Sequence, residues 1–161
     1  MTQGLTCEGF KISGNSVSAA VCVIPQNLRV TESLANTVLS LRPTLAEHIC
    51  KHRGFGYFGD KLIGTTLPHL VEHLAIDLLV EGNQLGTDCD TELAQRADET
   101  TSRASDKSPD SPSKALAGMT TWLDREQGRM LIRLSCTSQS IEETCAAITH
   151  AITLVNALFE Q

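Results

Sequence analysis

The sequence predicts an α+β domain in which helices cover one face of an antiparallel sheet. Three observations predict it: short β-branched runs occur between amphipathic helical patterns, 41% of the residues are hydrophobic, and 161 residues fit one domain. Aromatic residues make up only 4% of the chain, so we expect a core of Leu, Ile, Val and Ala. The predicted element order is β-α-α-β-β-α, and the chain has no visible internal repeat.

The first part of the chain predicts strands followed by helices. Residues 16–24 are short, β-branched and followed by a proline, which is typical of a buried strand, and residues 5–13 predict a weaker strand before it. Thr31 is a plausible N-cap for a helix with an apolar face. Pro43 ends that helix and can begin another, which we expect to run to about residue 50.

A glycine-rich loop then leads to the most apolar helix of the chain. Residues 52–64 contain four glycines and three aromatic residues, so we expect a sharply bent loop that buries most of those aromatics. Thr66 is the predicted cap of a helix that runs from Leu67 to about Val80. Because this helix is apolar on nearly all sides, it belongs in the interior.

Residues 87–115 differ in composition from the rest of the chain. They contain seven acidic residues, four basic residues, two prolines and almost no large apolar side chain. Such a segment cannot bury enough surface to offset its ordering entropy, so we expect a mobile insertion in a single domain that spans residues 1–161. A solvated loop is a simpler interpretation of it than a phosphorylation switch or a docking tail.

The last third of the chain predicts a hairpin and a helix. Residues 119–124 and 129–136 are strand-like runs on either side of a turn, and the second run alternates between apolar and other residues. Ser140 and Glu143 have the spacing of a capping box at the start of a final helix.

Charge and composition exclude several classes of protein. The chain has 13 Lys and Arg against 19 Asp and Glu, a net charge of −6, and no basic cluster that would indicate nucleic-acid binding. We expect no membrane span and no signal peptide, and therefore a cytoplasmic protein, since no apolar run approaches about 18 residues. The six cysteines are scattered without a C-x-x-C pair, so we expect reduced thiols, several of them in the core.

The sharpest motif is the run His69-Leu-Val-Glu72-His73 within the apolar helix. The two histidines lie one helical turn apart, which allows both imidazoles to bind one Zn²⁺ ion, and Glu72 stands at the edge of the same face. A carboxylate there can take a proton from metal-bound water. The order H-x-x-E-H is the inverted form of the common zinc-protease motif. Two histidines and a glutamate buried without partners would be unfavourable, which also favours a metal site.

The motif supplies two ligands of one zinc ion per chain, and a catalytic site needs a third. Several residues are candidates, and the spacing does not choose among them: His48, Cys50, Asp77, Glu126 and Cys136. Asp77 lies one turn beyond His73, so it is alternatively an acceptor that orients a histidine.

Several segments together resemble the N-terminal domain of cyanophycin synthetases. They are Glu47-His48-Ile49-Cys50, the Gly/Phe loop, Gly64-Thr65, the run HLVEHLAIDL, Leu116-Ala117-Gly118-Met119 and Arg125-Glu126. The similarity covers residues 45–80 and 116–158, and residues 87–115 correspond to an insertion where that domain has a short connection. The family has Glu at the position of Asp77.

The resemblance implies a hydrolytic role, because some of these N-terminal domains resemble a metallopeptidase and cleave the Asp/Arg polymer internally. It implies that His69 and His73 are metal ligands, that Glu72 is the general base, and that Arg125 and Glu126 border a substrate-binding cleft. The family's ligase domains follow this domain, whereas this chain stops at residue 161, so we expect a stand-alone zinc-dependent peptidase or amidase.

Two other functions are compatible with the sequence. One is a non-catalytic module that binds a polymer or a partner ligase subunit. The other is an enzyme similar to S-ribosylhomocysteine lyase, a family that shares the H-x-x-E-H pattern and uses a cysteine as third ligand, here Cys136. A peptide or polymer substrate is the expected partner, and a homo-oligomer is compatible with the sequence.

Overall fold

Nine strands and helices build the domain in the computed structural model, which describes residues 4–88, 117–136 and 140–159. In chain order they are β1 (Gly4–Ser13), β2 (Ser16–Ile24), α1 (Glu32–Leu41), β3 (Ile49–Cys50), β4 (Gly56–Tyr57), α2 (Leu67–Asp88), β5 (Gly118–Asp124), β6 (Arg129–Ser135) and α3 (Ile141–Phe159). Short 3-10 turns occupy Pro43–Glu47 and Gly59–Lys61.

The main sheet has four antiparallel strands in the order β1-β2-β6-β5. The two central strands pair Ala19 with Ile132 and Val21 with Met130, and all four side chains are buried. Because alternate residues of a strand face the same side of a sheet, this buried row marks the face that the helices cover. The predicted α+β class, with helices on an antiparallel sheet, is confirmed.

The helix α2 lies in the interior, as its composition predicts. It contacts α3, β5 and β6, and its residues Leu67, Leu70, Val71, Leu74 and Ala75 are fully buried. A helix enclosed on several sides has no solvent-facing stripe over that stretch, which explains why its sequence is apolar nearly all round.

The predicted helix starts are confirmed by their capping hydrogen bonds. The Thr31 hydroxyl accepts from the backbone N–H of Leu34 at 3.2 Å. Ser140 and Glu143 form the reciprocal capping box, with each side chain accepting from the other's backbone N–H at 3.0 Å. These bonds satisfy backbone donors that have no partner within the helix.

Several details of the predicted element order are wrong. The weak strand at 5–13 is a full member of the sheet as β1, and a small hairpin of β3 and β4 precedes α2. Pro43 begins only a five-residue 3-10 turn, because Ile49 and Cys50 leave the helical path to pair with Tyr57 and Gly56. The helix α2 continues to Asp88 instead of ending near residue 80, since the glycines at positions 82 and 86 lower helix propensity without breaking the helix.

The aromatic residues of the glycine-rich loop also differ from expectation. Only Phe58 is buried, whereas Phe55 is 76% exposed and Tyr57 is 56% exposed. The buried Phe58 ring stacks on the buried ring of His73.

The predicted insertion lies outside the described residues apart from positions 87 and 88, which are helical. In the part of the chain that the structure describes, no helix is long and apolar enough to cross a bilayer.

Candidate metal centre

The first two turns of α2 place His69 and His73 side by side. The Thr66 hydroxyl accepts from the backbone N–H of His69 at 3.3 Å and so fixes the start of the helix. The two imidazole rings have centroids 5.1 Å apart, and both side chains are buried. The four-residue spacing of the sequence therefore becomes a pair of rings on one buried helix face.

The hairpin of β3 and β4 brings Cys50 to this pair. Its Sγ lies 3.5 Å from Nε2 of His69. One donor atom each from Cys50, His69 and His73 lies within 4.8 Å of the other two. Among the described residues these three form a buried group that could hold a metal ion. All five described cysteines are free thiols, so Cys50 is available as a ligand.

Hydrogen bonding orients the His69 ring towards Cys50. Its Nδ1 lies 3.0 Å from the Thr65 hydroxyl oxygen, whereas its Nε2 faces the sulfur. Placing the proton on Nδ1 lets it donate to Thr65 and leaves the Nε2 lone pair for a metal. A fixed tautomer of this kind is typical of metal-binding histidines.

A chain of side chains orients His73. Oδ1 of Asp77 lies 3.2 Å from Nε2 of His48, and Nδ1 of His48 lies 3.3 Å from Nδ1 of His73. Placing the His48 proton on Nε2 lets it donate to the Asp77 carboxylate, and Nδ1 of His48 can then accept from the Nδ1–H of His73. This assignment leaves Nε2 of His73 free as a metal ligand.

The carboxylate of Asp77 is the anchor of that chain. It accepts from Nε of Arg42 at 2.7 Å and from the Thr44 hydroxyl at 2.7 Å, in addition to the contact with His48. Arg42 also pairs with Glu81 at 2.6 Å. Asp77 therefore acts on the site through His48, as an orienting acceptor, and it is not a member of the three-residue donor group.

The two imidazoles are neutral near pH 7. Burial, aided by the charges of His52, Lys61 and Arg53, lowers the pKa of His69 to about 4. Burial, aided by His69 and His48, lowers the pKa of His73 to about 3. Removing a cation from water disfavours the protonated ring, and a neutral ring keeps the lone pair that a metal needs.

Glu72 lies on the same helix, and contacts with β5 fix the position of its carboxylate. The Thr120 hydroxyl donates a short hydrogen bond to its Oε2. A Cβ atom at position 118 would lie 2.6 Å from its Oε1, so only a glycine there lets the carboxylate approach the strand. Burial raises the pKa of Glu72 to about 7, although the bond from Thr120 acts in the opposite direction.

The three donors and Glu72 line one cleft of about 940 Å³. The 3-10 turn at Pro43–Glu47, β3, α2 and the start of β5 form its walls. The arrangement offers nitrogen and sulfur atoms that could bind a metal, a buried carboxylate that lines the same cleft, and space for a ligand. A site with these three components can activate water towards a bound carbonyl group.

Of the other candidate residues, His48 and Asp77 line this cleft, whereas Arg125, Glu126 and Cys136 do not. Glu126 and Arg125 lie on the turn between β5 and β6, and neither is among the residues that line it; the Arg125 guanidinium instead lies 5.6 Å from the Trp122 ring centroid. Cys136 is buried at the end of β6, where its thiol donates to the Leu134 carbonyl oxygen. Arg125, Glu126 and Cys136 therefore lie outside the donor group.

Sequence reasoning missed the residues that support the donor group and Glu72. Phe58 stacks on His73 with ring centroids 3.7 Å apart and an interplanar angle of 13°, and His52 packs edge-on against His69 at 5.0 Å. Thr65 and Thr120 orient His69 and Glu72 through single hydroxyl groups. Only the i−4 spacing of Thr65 from His69 could have been recognised in advance, since the other contacts join distant segments.

Comparison with known proteins gives no match: no protein-family model, no curated protein and no solved structure is sufficiently similar to this chain. The resemblance to the N-terminal domain of cyanophycin synthetases stays a prediction, and the geometry of the donor group is the basis for assigning a function.

Proposed function

We propose that the protein is a zinc-dependent hydrolase that cleaves peptide or amide bonds. One observation carries the proposal: the buried carboxylate of Glu72 opens on the same cleft as the donor atoms of Cys50, His69 and His73. A metal site with three protein ligands leaves a position for water or substrate, and an adjacent carboxylate can serve as general base.

The donor set supports zinc as the metal. In a tetrahedral site, Zn–S bonds of about 2.3 Å and Zn–N bonds of about 2.0–2.1 Å place sulfur and nitrogen about 3.6 Å apart. The Sγ of Cys50 lies 3.5 Å from Nε2 of His69, so this pair of donors needs little rearrangement on binding. Thiolate and imidazole ligands together also favour zinc over magnesium or calcium.

The protein's own residues then have distinct roles. Bound zinc would polarise the substrate carbonyl and increase the acidity of a water molecule. Glu72 would accept a proton from the attacking water and pass it to the leaving nitrogen, and the hydrogen bond from Thr120 fixes one of its carboxylate oxygens. Thr65 and His48 hold the two imidazoles in the tautomers that expose Nε2.

The resemblance to cyanophycin synthetase N-terminal domains makes Asp/Arg peptides the first substrates to test. We expect purified protein to hydrolyse an amide bond in such a peptide, to lose activity on dialysis against a chelator, and to recover it with one equivalent of Zn²⁺. Product formation is measured by mass spectrometry across a panel of Asp/Arg and ordinary peptides. Stoichiometric zinc without hydrolysis of any peptide would contradict the proposal and favour a non-catalytic binding module.

A glycine substitution tests whether the position of Glu72 matters. Replacing Gly118 with alanine places a methyl group against the Glu72 carboxylate, so we expect hydrolysis to fall at least about tenfold while zinc affinity is retained. Gly82→Ala is the matched control, since its added Cβ meets nothing within 4 Å. Rates and zinc affinities of both variants are compared with wild type, and equal rates for all three would show that the contact with β5 is irrelevant.

The sulfur ligand favours one second candidate. S-ribosylhomocysteine lyases use two histidines and a cysteine, and the group of Cys50, His69 and His73 would match that donor set with Cys50 in place of Cys136. Incubation of zinc-loaded and iron-loaded protein with S-ribosylhomocysteine distinguishes the two functions, because the lyase reaction releases homocysteine with a free thiol. Thiol release without peptide cleavage would assign the second function.

A further inference from the structure

Lys61 is the centre of the loop that carries Cys50. Its Nζ lies 2.9 Å from the carbonyl oxygen of Cys50 and 2.9 Å from that of His52. It also donates a short hydrogen bond to the carbonyl oxygen of Gly54. An ammonium group has three donors, so the three carbonyls at alternate positions saturate it.

Apart from Lys61, a short hairpin, a backbone bond from the Phe58 N–H to the His48 carbonyl oxygen at 2.7 Å and contacts of Cys50 and His52 with His69 hold this loop. The hairpin of β3 and β4 pairs only two residues of each strand, and two-residue strands are too short to be stable alone. Between them, Arg53 and Gly54 adopt positive φ values of 55° and 95°. A left-handed conformation is unfavourable for a residue with a side chain, so neighbouring interactions must maintain it at Arg53.

The backbone of Lys61 belongs to a segment that packs on the metal site. Lys61 ends the 3-10 turn that follows Phe58, whose ring stacks on His73. At the start of the turn, Gly59 lies so close to Ala46 that an added Cβ would be 3.0 Å from its Cα atom. The Lys61 side chain therefore links the residue that carries the sulfur ligand to the segment that packs on a histidine ligand.

The Lys61 side chain does not line the cleft. It is half-buried, and it is not among the residues that line the cleft, whereas Lys51 is. Its stem runs past Gly56, where an added Cβ would lie 3.4 Å from Cε of Lys61. The ammonium group is thus directed at backbone carbonyls rather than at the space where a substrate would bind.

We propose that Lys61 is a positioning residue that holds Cys50 in place for metal binding by cross-linking the carbonyl groups of its loop. The inference rests on the proposed metal centre, but it concerns how that centre is preformed in the free protein. A preformed ligand needs no ordering when the metal binds, so the loss of Lys61 weakens binding even though the three donors remain.

The test replaces Lys61 with methionine, which keeps the apolar stem and removes the three donors. We expect the affinity for Zn²⁺, measured by competition with a chromophoric chelator, to fall about 10–100-fold. With Co²⁺ as probe, we expect the near-ultraviolet thiolate-to-cobalt band to weaken at equal occupancy. Lys11→Met is the matched control, because Lys11 is an exposed lysine on β1, and it should change neither measurement.

A second variant separates positioning from a general loss of fold. In Lys61→Ala, we expect ethylammonium to restore Zn²⁺ affinity, because it can donate to the same carbonyls, whereas tetramethylammonium at the same ionic strength should not. Failure of ethylammonium to restore affinity, or an unchanged affinity and cobalt spectrum in Lys61→Met, would overturn the inference. If wild type binds neither ion, the proposed metal centre itself fails, which is a different result.

Discussion

Replacing Glu72 with glutamine is expected to lower kcat for hydrolysis by about 10²–10⁴-fold, while zinc remains bound at one ion per chain. The reason is that glutamine has nearly the same shape but cannot accept a proton from water. The amide oxygen can still accept the hydrogen bond from Thr120, so the side chain keeps its place beside β5. Steady-state kinetics and metal analysis of the same preparation measure kcat and the number of zinc ions per chain.

The free energy of unfolding of Glu72→Gln shows whether its loss of activity comes from damage to the fold. Burial already disfavours the charged form of Glu72 and raises its pKa to about 7, so the neutral amide should leave the free energy of unfolding unchanged or higher. Glu126→Gln is the control, because that carboxylate lies on the turn between β5 and β6 and does not line the cleft. A Glu72→Gln enzyme within threefold of wild-type kcat would contradict the assignment of Glu72 as general base.

Replacing Cys50 with alanine is expected to weaken zinc binding by more than about 100-fold, since it removes one of three ligands rather than a group that orients one. Saturating zinc at about 100 times its Kd stabilises a folded protein by about 2.7 kcal/mol. For a protein of this size that corresponds to a rise in Tm of roughly 5–10 °C. We expect wild type to show this rise and Cys50→Ala to show none.

Cys136→Ala is the matched control, because Cys136 is the other buried cysteine of the described chain and lies outside the donor group. It should lose some stability through the small cavity that it creates and still gain the full rise in Tm with zinc. Should Cys136→Ala lose the zinc effect and Cys50→Ala keep it, the assignment of Cys50 as ligand would be contradicted in favour of Cys136.

The local features of the fold could be predicted from the sequence because they depend on neighbouring residues. The capping box of Ser140 and Glu143 and the strand Ser16–Ile24 each need only a few consecutive positions. The same holds for His69, Glu72 and His73, whose common helix face follows from the helical period. The predicted fold class is confirmed because the four strands of the main sheet and the three helices have local signals, whereas the hairpin of β3 and β4 has none.

The place of Cys50 in the donor group could not be predicted because it depends on contacts between distant segments. Cys50 lies 19 residues before His69, and its place depends on the pairing of β3 with β4 and on the bonds of Lys61. A sequence shows a cysteine there but not the loop closure that directs it inwards. The contact of Glu72 with Gly118 spans the segment 89–116, so it too has no local signal.

The orienting role of Asp77 illustrates the same limit. Its spacing from His73 indicates a shared helix face, and the sequence leaves open whether it binds metal or orients a histidine. In the structure, His48 lies between Asp77 and His73 and contacts both. His48 comes from the end of the 3-10 turn. Only the tertiary arrangement distinguishes a direct contact from one made through a second histidine.

X-ray absorption at the zinc edge, combined with metal analysis of the purified chain, tests the metal centre most directly. We predict one zinc ion per chain with one sulfur ligand at about 2.3 Å and two imidazole nitrogens at about 2.0–2.1 Å. We also predict that the sulfur contribution disappears in Cys50→Ser. Protein that takes up no zinc, or zinc bound only by nitrogen and oxygen, would contradict a centre formed by Cys50, His69 and His73.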